Sequence, residues 1–123
     1  MKQAPLILVV DDDEEIGTML KMMLEHKGFS VTVCRRAEQT EETLKNNDVD
    51  LIILDMLIGG IKGTDVCMSL KNNVSYSHLP IMIMTALPDA EILSRSAGAD
   101  DFLAKPFEME TMILKINQLL NNR

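Results

Sequence analysis

The sequence is poor in positive charge. Twelve lysines and arginines stand against nineteen aspartates and glutamates, which gives a formal net charge of −7. A protein that binds nucleic acid through its phosphate backbone needs a basic surface, and anionic membranes attract basic segments. The charge balance therefore argues against direct nucleic-acid binding and against docking on a membrane surface.

Long apolar runs and cysteine motifs are also missing. Apolar runs such as residues 6–10 and 51–54 are far shorter than the about 20 residues that a membrane-spanning helix needs. The first five residues lack the apolar stretch of a signal peptide. Cys34 and Cys67 have no CxxC-type metal spacing, and we expect both to be reduced core residues. These absences predict a cytoplasmic protein.

The rest of the composition is that of one globular domain. The chain has 123 residues, of which 46% are hydrophobic and 25% charged. This length suits a single hydrophobic core, and the ten methionines are expected to provide adaptable core packing. No linker, repeat or low-complexity stretch divides the chain. We therefore expect residues 1–123 to form a single domain.

Short apolar runs alternate with helical patterns along the chain. Strands are predicted over residues 6–10, 29–34, 51–54, 81–84 and 102–104. Helices are predicted around residues 16–24 and over residues 37–47, 64–73, 90–97 and 108–120. Five βα units in strict alternation predict an α/β fold with a mainly parallel five-stranded sheet and helices on both faces. The pattern alone leaves the order of the strands open.

Polar residues follow four of the five predicted strands, at the point where each strand ends. They are Asp11, Asp12 and Asp13, then Asp55, then Thr85, and finally Lys105. Ligands of open α/β sheets bind at this edge. Clustered carboxylates repel one another, and a hard divalent cation such as Mg²⁺ relieves that repulsion. A carboxylate nucleophile with a lysine and a hydroxyl nearby suits phosphoryl transfer to an aspartate.

Four stretches then reveal a family resemblance. Residues 8–12 read LVVDD, residues 50–55 DLIILD, residues 80–86 PIMIMTA, and residues 98–107 GADDFLAKPF. In this order and at these intervals they make the chain resemble the receiver domain of two-component response regulators, along essentially its whole length. The resemblance implies a doubly wound (βα)₅ fold with the flavodoxin-like strand order 2-1-3-4-5.

The resemblance also implies which residues accept the phosphoryl group and hold the metal. Asp55 matches the phosphoacceptor of the family. Asp12 matches a direct Mg²⁺ ligand, and Asp11 matches an acid that holds the metal largely through water. Leu57 stands where the family offers a backbone carbonyl to the ion, so the implied metal ligands are Asp11, Asp12, Asp55 and the carbonyl of Leu57.

Three further residues match the response of the family to phosphorylation. Lys105 pairs with the phosphoryl group, Thr85 is the switch hydroxyl, and Phe102 is the switch aromatic that moves inward. The peptide bond between Lys105 and Pro106 is expected to be cis, as is typical of the family. Because Phe102 lacks the hydroxyl of the more usual tyrosine, its coupling to Thr85 would act through packing.

The partners follow from the same resemblance. The family receives its phosphoryl group from a histidine kinase or a histidine phosphotransfer protein. It then signals to a downstream protein target or a fused output domain through the surface of the fourth helix, fifth strand and fifth helix. The chain is accordingly expected to be a phosphoacceptor switch and not an enzyme acting on an external substrate. The sequence leaves open whether the chain forms a homodimer when it is phosphorylated.

Two alternatives compete with this interpretation. An aspartyl-phosphate phosphatase would use Asp11 as nucleophile and Asp13 as acid, but Glu15 occupies the place where such enzymes have threonine or valine. A degenerate receiver that acts only as a binding module would lack one of the key residues, and none is missing. Either alternative predicts that Asp55 is not phosphorylated.

The chain departs from the family after Asp55. Where the family often has Met-Pro, this sequence has Ile58 and Gly59, followed by Gly60. Two glycines in place of a proline predict a more mobile loop. Gly63 matches the glycine that the family has near the end of this loop.

Overall fold

A central sheet of five parallel strands organises the computed structural model, which describes residues 4–87 and 89–122. Its strands are β1 (Leu6–Val10), β2 (Ser30–Cys34), β3 (Leu51–Asp55), β6 (Ile81–Thr85) and β7 (Asp101–Ala104). A separate antiparallel pair is formed by β4 (Leu57–Ile58) and β5 (Ile61–Lys62). The sheet order is β2-β1-β3-β6-β7, which confirms the expected order 2-1-3-4-5 once the small pair is set aside.

Within the described residues, a helix follows each of the five strands of the central sheet, as the alternating pattern predicts. The helices are α1 (Glu14–His26), α2 (Thr40–Asn46), α3 (Gly63–Lys71), α4 (Ala90–Ser96) and α5 (Met109–Asn121), and a 3₁₀ turn over Ala37–Gln39 precedes α2. Asp13 caps α1, because its carboxylate accepts the backbone N–H groups of Glu15 and Ile16. Within the described part of the chain, no helix has the length and apolar character required to cross a membrane.

The two faces of the sheet bury separate hydrophobic cores. Successive side chains of a strand point to opposite faces, so Ile7 and Val9 lie in one core and Leu8 and Val10 in the other. The first core receives α1 and α5, through Leu20, Leu24, Met112 and Ile116. The second receives α2 and α3, through Leu44, Cys67 and Leu70. Burial on both faces explains why the three central strands, β1, β3 and β6, are apolar at nearly every position.

Two aspartates hold the amino-terminal edge of the sheet. Asp50 accepts the backbone N–H of Leu6 at 2.8 Å and returns its own N–H to the Leu6 carbonyl at 2.8 Å. Asp100 makes the same pair of bonds with Ile81, each at 2.8 Å. The Asp100 carboxylate also forms an ion pair with Lys71 at 2.7 Å. Asp100 therefore links the start of β6 to the start of β7.

The β4–β5 hairpin occupies the segment for which the sequence pattern predicts only a loop. Its two-residue turn consists of Gly59 and Gly60, with φ of 56° and 87°. A two-residue hairpin turn with positive φ at both positions is strongly favoured by Gly-Gly, because glycine has no Cβ to oppose that conformation. The loss of the family's proline thus leaves a defined turn, while the expected mobility of this segment stays a prediction.

We expect Asp100→Ala to destabilise the protein, because it removes both the acceptor for the Ile81 N–H and the partner of Lys71. The free energy of unfolding should fall by about 1–3 kcal/mol, measured by urea denaturation followed by circular dichroism. Glu42→Ala removes an exposed carboxylate from α2 and should cost no more than about 0.5 kcal/mol. Equal losses in the two variants would contradict the role given to Asp100.

Candidate functional site

Three carboxylates meet at the carboxyl-terminal edge of the sheet. Asp11 and Asp12 follow β1, and Asp55 ends the neighbouring strand β3, whose Leu54 pairs with Val10. One oxygen from each acid lies within 4.8 Å of those of the other two. The structure thus brings together the three acids that the sequence pattern assigns to one edge, and this cluster could hold a metal ion.

Asp11 is the most buried of the three, with no exposed surface. One of its oxygens accepts the N–H of Asp13 at 2.9 Å, and the other has no hydrogen-bond partner within the described residues. Burial raises the pKa of Asp11, and the negative charges of Asp55 and Asp12 add to that rise; the Asp13 N–H and Lys105 oppose it. An unpartnered oxygen in an all-carboxylate cluster fits a hard cation such as Mg²⁺.

Asp12 connects the acids to the β4–β5 hairpin. Its side chain is exposed, and it accepts the backbone N–H of Gly59 at 3.0 Å. The hairpin begins with Leu57, two residues after Asp55. The turn of the hairpin therefore lies against one wall of the acidic cluster, a contact that the sequence pattern did not predict.

Lys105 supplies the positive charge of the site. Its Nζ lies 2.8 Å from an oxygen of Asp55, in a pair whose side chains are only 24% and 16% exposed. Partial burial makes such a pair stronger than one on the surface, since less water screens it. The backbone N–H of Lys105 donates to the carbonyl of Thr85 at 2.7 Å, and the following bond to Pro106 is cis, as expected.

Gly63 lets helix α3 begin against the backbone of Asp55. Its N–H donates to the carbonyl of Met56 at 2.7 Å. A Cβ at Gly63 would overlap the carbonyl oxygen of Asp55. The match to the family singles out this glycine, but only the structure gives the reason, which is the close approach of two backbone segments.

Thr85 lies beside the acids, at the end of β6. Its neighbour Met84 pairs with Asp55 in the sheet, and Thr85 itself is only 2% exposed. The hydroxyl oxygen accepts the N–H of Leu87 at 2.9 Å, which leaves its own hydrogen free to donate. The structure thus places Thr85 on the strand next to Asp55.

Phe102 lies away from the acidic cluster, on the face formed by α4, β7 and α5. Its half-buried ring is faced by two cations, the Arg95 guanidinium at 5.9 Å and the Lys115 ammonium at 5.2 Å from the ring centroid. Both cations also approach Asp101, at 3.9 Å and 3.2 Å. Sequence patterns gave no signal for this arrangement, because its members come from three separate elements whose packing the sequence does not show.

Comparison with known proteins agrees with this fold. Residues 7–117 match the model of the response regulator receiver domain. Among curated proteins, the phosphate regulon transcriptional regulatory protein PhoB of Rhizobium meliloti (strain 1021) is 31% identical over 94% of this chain and 52% of its own length. This chain spans about half the length of the curated relatives it matches.

Solved structures give the same result. A putative response regulator from Chloroflexus aurantiacus J-10-fl superposes with a TM-score of 0.91 at 32% identity, covering 97% of this chain and 99% of its own. The signal receiver domain of a histidine kinase from Syntrophus aciditrophicus gives a TM-score of 0.89 at 30% identity, with 97% and 92% covered. Together with the motifs and the carboxylate cluster, these matches show that the chain belongs to the family of response regulator receiver domains of two-component systems.

Proposed function

We propose that Asp55 accepts a phosphoryl group from a histidine kinase or a histidine phosphotransfer protein, and that residues 1–123 act as one receiver domain. The observation that carries this proposal is the ion pair between Lys105 and Asp55 beside two further acids. A carboxylate with a purely structural role does not require a lysine and two further acids beside it, whereas phosphoryl transfer needs clustered charges held in fixed positions.

The proposed reaction transfers the phosphoryl group directly to Asp55. An oxygen of Asp55 attacks the phosphorus of the donor, the bond from phosphorus to the leaving atom of the donor breaks, and an aspartyl phosphate remains. Lys105 orients the carboxylate by holding one of its oxygens. After transfer, the same ammonium is placed to pair with an oxygen of the phosphoryl group.

The acidic cluster is proposed to hold Mg²⁺. Asp12 would bind the ion directly, Asp11 largely through water, and Asp55 and the backbone carbonyl of Leu57 would complete the protein ligands. Support comes from the donor set, which is all oxygen, and from the unpartnered buried oxygen of Asp11. When bound, the ion offsets the charge of the acids and of the phosphoryl oxygens.

The switch is proposed to run from Thr85 to the α4–β7–α5 face. The Thr85 hydroxyl would donate to the phosphoryl group, and Phe102 would leave Arg95 and Lys115 to move inward. This face also exposes apolar side chains, Ile92 and Leu93 on α4 and Leu114 on α5. A change there would alter binding to a downstream protein, to a fused output domain or to a second copy of the chain.

Intact-mass spectrometry after incubation with acetyl phosphate tests the phosphoacceptor. We expect the protein to gain one phosphoryl group with Mg²⁺ present and none without it, and we expect Asp55→Asn to gain none. Asp13→Asn is the matched control, because it changes an adjacent acid whose capping role asparagine also fills, and it should be phosphorylated normally.

The alternatives give different results in the same experiment. If phosphorylation survives Asp55→Asn and is lost in Asp11→Asn, the chain uses the nucleophile of the phosphatase interpretation. If no variant or condition yields a phosphorylated protein, the chain is a degenerate receiver that acts as a binding module.

The raised pKa of Asp11 predicts how stability depends on pH. The folded protein binds a proton at Asp11 more readily than the unfolded chain does, so the ionised group destabilises the metal-free fold at neutral pH. Asp11→Asn should therefore raise the free energy of unfolding at neutral pH by about 1 kcal/mol. The difference should shrink as pH falls toward 3.8, the ordinary pKa of an aspartate, because the wild type then takes up its proton.

Urea denaturation at several pH values without Mg²⁺ measures this difference, and added Mg²⁺ should stabilise the wild type more than Asp11→Asn. Asp13→Asn is again the control, since its carboxylate is exposed. A stability difference that grows on acidification would contradict the assignment.

Gly63→Ala should slow phosphorylation, because the new methyl group must displace the Asp55 backbone. We expect about a tenfold lower rate with acetyl phosphate and a loss of about 1–3 kcal/mol in stability. Gly28→Ala is the control for stability. Gly28 has φ of 96° with open space around it, and it lies at the opposite end of α1 from the acids. It should cost about 1–2 kcal/mol and leave the rate unchanged; equal rates in both variants would show that Gly63 does not position Asp55.

A further inference from the structure

A cleft of about 250 Å³ opens between helices α2 and α3. None of the residues assigned to the phosphorylation chemistry lines it. Its apolar lining comes from the 3₁₀ turn, β5 and α3, through Ala37, Ile61, Val66 and Leu70. Pockets for whole small molecules usually measure about 300–1,000 Å³. The cleft is below that range, so it suits one or two inserted side chains better than a small-molecule ligand.

Three acids border this cleft: Glu38, Glu41 and Asp65. All three are exposed, and none has an ion-pair partner within the described residues. Acids elsewhere on this protein, such as Glu25 and Asp100, do have a lysine partner. The acids of the cleft therefore form no ion pair with a cation of the described residues, and a basic partner would supply one.

A buried hydroxyl adds a second feature. Thr40 lines the cleft, is only 2% exposed, and its hydroxyl oxygen has no hydrogen-bond partner within the described residues. Buried polar groups in folded proteins are nearly always hydrogen-bonded. The Thr40 hydroxyl is therefore an unsatisfied polar group in the wall of the cleft.

We propose that this cleft docks a basic segment of a partner protein, which inserts an aliphatic side chain between α2 and α3 and pairs lysine or arginine side chains with Glu38, Glu41 and Asp65. The apolar lining supplies burial for the aliphatic group, and the acids select the charge of its neighbours. A second copy of this chain is a poor occupant, because each copy carries a net charge of −7.

The cleft also adjoins the phosphorylation site through the hairpin. Ile61 lines the cleft and pairs with Ile58 across the β4–β5 hairpin. The turn between them contains Gly59, whose N–H is bonded to Asp12. An occupant that contacts Ile61 therefore touches the element that contacts the acidic cluster.

Nuclear magnetic resonance of the ¹⁵N-labelled full chain tests the proposal, with a synthetic amphipathic peptide of leucine and lysine as the probe. We expect amide shifts in residues 37–41 and 61–70. A peptide with glutamate in place of lysine should not bind, and neither should one with serine in place of leucine. The variant Glu38→Gln/Glu41→Gln/Asp65→Asn should bind about tenfold more weakly, given the modest contribution of each exposed charge.

The matched control is Glu91→Gln/Glu108→Gln/Glu110→Gln, which removes the same charge from exposed positions on α4 and next to or within α5. It should bind as the wild type does. The proposal is overturned if the shifts fall on the Asp11, Asp12 and Asp55 cluster, or if both triple variants lose the same affinity. Shifts of the cleft amides on raising the protein concentration without peptide would assign the cleft to a second copy instead, and would also overturn it.

Discussion

Mutual repulsion among Asp11, Asp12 and Asp55 is the constraint on which the rest of this structure depends. Three carboxylates within 4.8 Å would separate if they stood on flexible segments. Here two adjacent parallel strands hold them, and their buried side chains leave the strand ends little freedom. Lys105, which follows the edge strand β7, offsets part of this charge. The free energy of the two hydrophobic cores thus keeps charges together that would otherwise move apart.

Backbone contacts complete this restraint around Asp55. The missing side chain of Gly63 lets α3 start against the Asp55 carbonyl, and the Met56 N–H donates to the Met84 carbonyl of the next strand. On the other side, the hairpin turn reaches Asp12 through the N–H of Gly59. Main-chain contacts at Gly63 and Gly59 therefore add to the restraint that the buried strands impose on the acids.

Much of this arrangement is readable from the sequence, and the reasons for the failures are physical. Strands and helices followed from apolar periodicity, and the edge acids from their position after each strand. The hairpin was missed because strands of two residues are too short to show a period, although Gly59-Gly60 between apolar pairs is a turn signal. The partners of Asp100 and Phe102 were missed because they belong to other elements, and a single sequence contains no information on which surface charges meet.

The paired bonds of Asp50 with Leu6 and of Asp100 with Ile81 make the two ends of the sheet unequal. At the amino-terminal end, a carboxylate ties the start of one strand to the start of its neighbour, which opposes sliding of one strand past the other. At the opposite end the strands lead into loops and acids that repel. The amino-terminal end of the sheet is therefore the stiffer one, and a charge added at the opposite end would act on loops and side chains while the strand register is preserved.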